Sequence, residues 1–124
     1  MKTVQKIERK IISVDAENKT LGRLAVEVAV LLRGKNKPTF VPYIDGGDTV
    51  LVKNISKMKF SGDKVEQKNY FRFTGYLGNM KETSLKEFLV KKGPKEVLRT
   101  AVMGMLCKNR LRSKQIKRLR FEWD

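Results

Sequence analysis

The sequence predicts a single α/β domain built on a mainly parallel β-sheet. Two short apolar runs, residues 11–14 and 49–52, flank an apolar helical stretch at residues 20–33. A strand–helix–strand order of this kind is typical of parallel strands joined by a right-handed crossover. Apolar and charged residues then alternate over residues 119–123, which predicts a final strand that returns to the sheet. With 124 residues, the chain is long enough to bury a core of its own.

The first helix is predicted from its ends and from its apolar stripe. It begins after Thr20, whose hydroxyl we expect to cap the first free amides. It ends at Gly34, which suits the left-handed conformation of a C-cap. Gly22 in the first turn costs stability relative to alanine, and it therefore predicts the close approach of another backbone. The stripe that we expect to lie against the sheet comprises Leu21, Leu24, Ala25, Val28 and Leu32.

A predicted turn, Asp45-Gly46-Gly47-Asp48, precedes the second strand. It matches neither a Walker loop nor a dinucleotide-binding fingerprint, so we expect no nucleotide site here. Its two carboxylates could in principle hold a metal ion, but capping of loop amides is the favoured interpretation. The strand after it is almost continuously apolar, which predicts burial on both faces. Residues 57–60 then predict a short third strand.

Two further segments carry cations whose role the residues alone leave open. Lys35 and Lys37 follow the first helix, where cations can bond to the last carbonyls or can equally contact phosphate. Residues 67–76 interleave bases with aromatics, which is typical of base stacking and also of an amphipathic strand with a cationic side. Gly75 and Gly78 predict that this segment ends in an exposed, tightly turning loop.

Two consecutive helices are predicted next. The capping box Ser84-x-x-Glu87 indicates the start of a short helix. Pro94 fits the first position of a second helix directly after it. Gly104 lies in the last turns of that helix and again predicts the close approach of another backbone. The face that packs has the helical period and comprises Val97, Leu98, Ala101, Val102, Met105 and Leu106.

Residues 97–121 contain no acidic residue, and their second half predicts a cationic helix that follows the packed one. Leu111, Ile116 and Leu119 give this helix a modest apolar side, and cations occupy most of the rest. A cationic helix mounted on a packed one suits a polyanion better than a small ligand. The net charge of +15, spread over both halves of the chain, also indicates a nucleic-acid binder, since solubility alone requires far less.

The chain lacks the residues of the common catalytic and metal sites. It has no histidine, and its single cysteine, Cys107, forms no disulfide framework and would lack a histidine base as a nucleophile. We expect Cys107 to pack as a small residue at the end of the apolar helix. No apolar run reaches the roughly 18–20 residues of a membrane span, and no h-region follows the charged N-terminus. These features predict a cytoplasmic protein without cofactor, metal, membrane association or small-molecule substrate.

Motifs along the chain resemble the bacterial ribosomal protein family thirteen of the large subunit. They occur in the family's order from about residue 11 to residue 121. They are Asp15-Ala16-Glu17-Asn18-Lys19-Thr20-Leu21-Gly22-Arg23-Leu24-Ala25, Leu32-Arg33-Gly34-Lys35-x-Lys37-Pro38, Asp45-x-Gly47-Asp48, Tyr70-x-Arg72-x-x-Gly75-Tyr76-x-Gly78, Gly104-Met105-Leu106-x-Lys108-Asn109-Arg110-Leu111 and Lys117-Arg118-Leu119.

The resemblance implies a three-layer α/β/α domain with a four-stranded, mainly parallel sheet and a basic C-terminal helix. It places this domain at residues 11–124, after a basic N-terminal extension at residues 1–10. It implies a structural protein that binds large-subunit ribosomal RNA, assists subunit assembly and touches neighbouring ribosomal proteins. The RNA-binding positions that follow from the motifs and the basic helix are Arg33, Lys35, Lys37, Tyr70, Arg72, Tyr76, Lys108, Asn109, Arg110, Arg112, Lys114, Lys117 and Arg118.

Some positions depart from the family pattern. Asn36, Tyr43 and Phe73 stand where members often carry histidine, and the family's histidine-containing tail does not follow residue 124. The alternative function is an enzyme that acts on nucleic acid, such as a small nuclease. The absence of histidine and of a metal-ligand set argues against it, so we predict that the chain is not an enzyme.

Overall fold

The computed structural model describes residues 8–122 and shows one mixed α/β domain. Residues 1–7 of the predicted N-terminal extension and Trp123 of the predicted last strand lie outside this range. The elements in order are β1 (Ile11–Asp15), α1 (Leu21–Arg33), β2 (Thr49–Lys53), a 3-10 turn (Ile55–Lys57), α2 (Lys64–Gln67), β3 (Asn69–Phe73), β4 (Met80–Ser84), α3 (Leu85–Met105), α4 (Leu111–Ile116) and β5 (Leu119–Phe121).

The main sheet is parallel and has the strand order β1-β2-β5. Val50 of β2 lies opposite Ile12 on one side and opposite Leu119 on the other. The mainly parallel sheet and the returning last strand are therefore confirmed. A further parallel pairing, an isolated bridge between Thr20 and Lys59, stands where the predicted third strand would lie. The four-stranded sheet of the prediction is thus met approximately.

The third strand is short because the chain turns sharply after β2. Asn54 adopts a left-handed conformation with φ of 55° and opens the 3-10 turn. The strand-like pairing that remains is made by Lys59, whose amide donates to the Lys19 carbonyl and whose carbonyl accepts from Leu21. This pairing fixes the start of α1 beside the turn.

One face of the parallel sheet carries the core. Val50 and Val52 of β2 are buried, and the residues between and beside them are half-buried. The prediction that this strand is buried on both faces was therefore wrong, because its side chains alternate between a covered and a partly open face. On β1, Val14 is buried whereas Ile11 is 71% exposed. Helices α1 and α3 supply most of the remaining core, namely Leu24, Ala25, Val28, Leu32, Val97, Leu98 and Val102.

The two predicted consecutive helices form α3, which is broken at Gly93. That residue has φ of 82° and ψ of 172°, and Pro94 follows it. The Ser84 side chain accepts a hydrogen bond of 3.3 Å from the Glu87 amide, as the capping box predicts. The hairpin of β3 and β4 leads directly into this helix start.

The two ends of α1 differ from each other. Gly34 ends the helix with φ of 83°, and its amide donates to the Val30 carbonyl, so the predicted C-cap is confirmed. At the other end, the Thr20 side chain makes no capping hydrogen bond. The predicted hydroxyl cap was therefore wrong. Pairing of the Leu21 amide with the Lys59 carbonyl replaces it.

Candidate nucleic-acid interface

Arg118, one of the predicted RNA-binding cations, is engaged inside the protein. Its guanidinium donates to both carboxylate oxygens of Asp45, at 2.6 and 2.8 Å, and also to the Leu32 carbonyl at 2.8 Å. The Arg118 and Asp45 side chains are 13% and 12% exposed. A bidentate pair of this kind is short and directional. The contact ties the loop before β2 to the end of α1 and to the start of β5.

Lys37, a second predicted RNA contact, is also engaged inside the protein. Its ammonium group lies 2.8 Å from the Asp48 carboxylate and donates to the Gly46 and Glu8 carbonyls. Burial acts to raise the pKa of Asp48, but hydrogen bonds from Lys37 and from the Lys10 amide outweigh it and leave the pKa lowered. Lys37 therefore has a structural contact, but its partners lie in the loop before β2 and before β1, and are not the last carbonyls of α1 that the sequence analysis named.

Gly47 makes the contact between these loops possible. A Cβ built on it would collide with the Leu32 carbonyl and would lie 2.9 Å from a guanidinium nitrogen of Arg118. Gly34 meets the same segment, since its own Cβ would come within 3.1 Å of Gly47 backbone atoms. The Asp48 carboxylate accepts from the Lys10 amide, as the capping interpretation predicted, whereas the Asp45 carboxylate pairs with Arg118.

The end of α3 brings several of the other predicted positions together. Met105 lines a groove of about 300 Å³ with Arg33 and Lys35 at the end of α1. Met105 also lines a second groove, of about 360 Å³, with Tyr70 of the hairpin. The turn that follows α3 carries Lys108 at the surface. The exposed predicted cations are Lys35, Arg72, Lys108, Arg110, Lys114 and Lys117.

The predicted basic helix is shorter than expected. A turn separates the end of α3 from α4, which has 6 residues. The side-chain carbonyl oxygen of Asn109 accepts a hydrogen bond of 3.1 Å from the Arg112 backbone amide, and this bond organises the turn. Cys107 in the same turn is exposed, so the prediction that it packs at the helix end was wrong. Asn109 has a local structural role whether or not it also contacts RNA.

The hairpin has two different faces. The pairing of Tyr70 with Thr83 and of Arg72 with Lys81 puts a polar and cationic set on one face. Tyr70 packs on Phe88 with ring centroids 4.9 Å apart, and burial raises the pKa of its phenol. Tyr76 lies exposed near the tip. The opposite face was not among the predicted RNA-binding positions, and three of its side chains are more than half exposed: Phe71, Phe73 and Met80.

Strict alternation was the signal that marks this second face. Because side chains alternate between the two faces of a strand, Phe71 and Phe73 of β3 lie on the same face. The structure thus supports the strand interpretation of the segment, and the exposed rings leave base stacking open.

The described residues form neither a metal site nor a membrane-spanning helix. Within residues 8–122, no group of three or more acidic or cysteine side chains could hold a metal ion. Within the same range, no helix is long and apolar enough to cross a membrane.

Comparison with known proteins decides the family. The sequence model of the family described as ribosomal protein L13 matches residues 9–121. The chain belongs to the ribosomal protein L13 family. The resemblance noted in the motifs is therefore confirmed over nearly the whole chain.

Close relatives agree with this assignment. The large ribosomal subunit protein uL13 of Clostridioides difficile is 55% identical over 114 residues, which cover 92% of this chain and 79% of that protein. The protein of the same name from Desulfotalea psychrophila is 50% identical over 117 residues, covering 94% and 82%. That from Sulfurimonas denitrificans is 49% identical over 119 residues, covering 95% and 84%. These relatives are named as ribosomal proteins and not as enzymes, which confirms the prediction that this L13 family member is not an enzyme.

Proposed function

We propose that this protein is a structural component of the large ribosomal subunit, binds the ribosomal RNA of that subunit and assists its assembly. The observation that carries the proposal is the gathering of exposed cations around the end of α3, in a chain of the L13 family. Lys35 after α1 and Lys108 after α3 belong to this group, and the half-buried Arg33 lines the same groove as Lys35. We also propose that the protein contacts neighbouring ribosomal proteins and belongs to a cytoplasmic ribosome.

In this mechanism, the affinity for RNA comes from many side chains together and depends little on any single one. Exposed lysines and arginines neutralise phosphates and release condensed counterions, which supplies most of the affinity for RNA. Aromatic rings on the hairpin, such as Tyr76, can stack on unpaired bases, which is the common way in which proteins recognise RNA loops. Arg118 and Lys37 contribute indirectly, because their internal ion pairs hold the loop between α1 and β2 in place.

Binding to ribosomal RNA at a series of salt concentrations tests the proposal. Roughly 6–10 phosphate contacts would lower the affinity about 10³-fold or more between about 50 and 200 mM salt for a duplex, and somewhat less for folded RNA. A flat salt profile would contradict a role for the cationic surface.

Two further measurements separate ribosomal binding from general RNA affinity. The native protein should sediment with large subunits and remain absent from small ones. Crosslinks to ribosomal RNA should fall on the exposed cations around the end of α3, including Lys35 and Lys108. Crosslinks confined to other surfaces would show that the interface lies elsewhere.

A further inference from the structure

A concave groove lies between the start of α1, the end of α3 and the root of the hairpin. Its volume is about 360 Å³. Helix backbone and small or apolar side chains form most of its wall, and lysines from α2 stand at its edge. The residues that line it are Leu21, Gly22, Lys64, Lys68, Tyr70, Thr100, Ala101, Gly104 and Met105, and this set contains no acidic residue.

The edge of the groove is cationic. Lys64 and Lys68 are four positions apart, at the start of α2 and directly after it, and both are exposed. The ammonium group of Lys68 lies 5.5 Å from the centre of the Tyr70 ring. Two lysines beside a wall that lacks acidic side chains give the groove a positive potential, which favours an anionic occupant.

The wall of the groove is open at two glycines. Apart from its chain neighbours and the backbone of its own helix, a Cβ built at Gly22 or at Gly104 meets nothing within 4 Å. Neither glycine has the positive φ that would require it. The sequence predicted that another backbone approaches both positions, and no backbone of the described chain does so. Alanine would favour both helices, so helix formation does not account for the two glycines. The open space beside them is available to a molecule outside the chain.

The start of α1 adds to the same potential. The Thr20 side chain does not cap the helix, and the Leu21 amide donates to the Lys59 carbonyl instead. Leu21 and Gly22 of the first turn line the groove. The first turn of a helix carries partial positive charge and attracts phosphate groups.

We propose that this groove receives a phosphodiester segment of ribosomal RNA. Lys64 and Lys68 pair with its phosphates, and the bare helix surfaces at Gly22 and Gly104 let the sugar–phosphate chain come close to the protein backbone. The proposal rests on the function proposed above and assigns a site to it. This groove lies next to the turn that carries Lys108, since Gly104 and Met105 at the end of α3 line it.

The first test adds two methyl groups to the wall, one at each glycine. The double variant Gly22→Ala/Gly104→Ala should keep its melting temperature or raise it by a few degrees, since alanine favours helix. Its affinity for large-subunit ribosomal RNA at fixed salt should fall by about tenfold, as expected if one charge-assisted contact is lost. Val90→Ile is the matched control, because it adds one methyl group to α3 at a side chain that is 83% exposed.

The second test removes the edge charges without altering the wall. For Lys64→Gln/Lys68→Gln, the slope of the logarithm of affinity against the logarithm of salt concentration should become shallower by about 1 to 2. The melting temperature should stay unchanged, because both lysines are exposed. This second variant decides the matter if the glycine variant unfolds.

The outcomes separate this proposal from the general one. If the unmodified protein fails to bind ribosomal RNA, the proposed function itself is wrong. If it binds, and both double variants bind with the affinity and salt slope of the control, the groove is not an RNA site. If the variants bind isolated RNA normally yet enter subunits poorly, the occupant is a neighbouring protein and the assignment to RNA is overturned.

Discussion

The guanidinium of Arg118 and the carboxylate of Asp45 form a bidentate pair, at 2.6 and 2.8 Å, between residues 73 positions apart. Both side chains are nearly covered, and the same guanidinium also holds the Leu32 carbonyl at the end of α1. A cation within a basic motif thus acts as an internal cross-link. The stability of the loops depends on this pair, and the charge of Arg118 is largely withdrawn from the outer surface.

Replacing Arg118 by glutamine should destabilise the fold. The change leaves the largely buried Asp45 with the more distant Arg9, whose guanidinium lies 3.6 Å from the carboxylate. Breaking a buried ion pair in this way costs about 3 kcal/mol. Urea unfolding at neutral pH measures the loss. Lys53→Gln is the control, since the Lys53 ammonium lies 4.0 Å from Glu122 and both side chains are about half exposed. The control should change stability by less than about 1 kcal/mol. Equal stability of the two variants would contradict a structural role for Arg118.

The two adjacent glycines of the same loop should respond in opposite ways to alanine. Gly47→Ala would push a methyl group into the Leu32 carbonyl and against Arg118, so the free energy of unfolding should fall by about 3 kcal/mol or more. Gly46→Ala meets nothing within 4 Å and should be nearly neutral. Thermal unfolding of both variants provides the comparison. A stable Gly47→Ala protein would mean that the loop sits farther from α1 than the structure shows.

Within residues 97–121, we expect different side chains to be responsible for RNA binding and for the stability of the fold. Replacing Lys108, Arg110 and Arg112 by glutamine should weaken RNA binding and leave the melting temperature almost unchanged, since these cations lie at or near the surface. Leu98→Ala removes a fully buried side chain and should cost about 2–5 kcal/mol of stability. RNA titrations paired with unfolding curves measure both effects. If the triple variant unfolds, the turn after α3 is a structural element and not a binding one.

Much of the fold could be predicted from local patterns. The crossover of β1, α1 and β2 follows from apolar periodicity, and the left-handed Gly34 cap and the Ser84 cap follow from single residues with strong positional preferences. These features depend on neighbours a few positions away. The sequence predicted them because their causes are local.

The roles of individual cations could not be predicted in the same way. Arg118 and Lys37 look like their exposed neighbours in the sequence, and only the tertiary fold brings Asp45 and Asp48 against them. Gly22 and Gly104 show the converse. We predicted that another backbone of this chain packs against both glycines, but none in the described chain does. The space beside them is therefore part of the proposed RNA site.

Acid should remove the contribution of Asp48 to stability. Its pKa is lowered in the folded protein relative to about 3.9 in the unfolded chain. Asp48 therefore stabilises the fold above about pH 4, and this contribution is lost as pH falls through the folded pKa. Asp48→Asn should show a shallower loss of stability than the unmodified protein below about pH 4. Urea midpoints measured from pH 7 to pH 2.5 test this. Parallel curves for the two proteins would show that Asp48 is not linked to folding.

RNA affinity should hardly depend on pH near neutrality. The chain has no histidine, the phosphodiesters of RNA stay ionised, and the lowered pKa of Asp48 and the raised pKa of Tyr70 both lie away from this range. Affinity at constant ionic strength should therefore be almost flat between about pH 6 and 7.5. Asn36→His supplies the contrast, because it places an imidazole in the exposed basic loop beside Lys35. Phosphate favours the charged imidazole and raises its pKa, so the affinity of this variant should increase as pH falls through about 6.5. A change above tenfold in the unmodified protein would reveal a titrating group in the interface and contradict a surface of permanent charges.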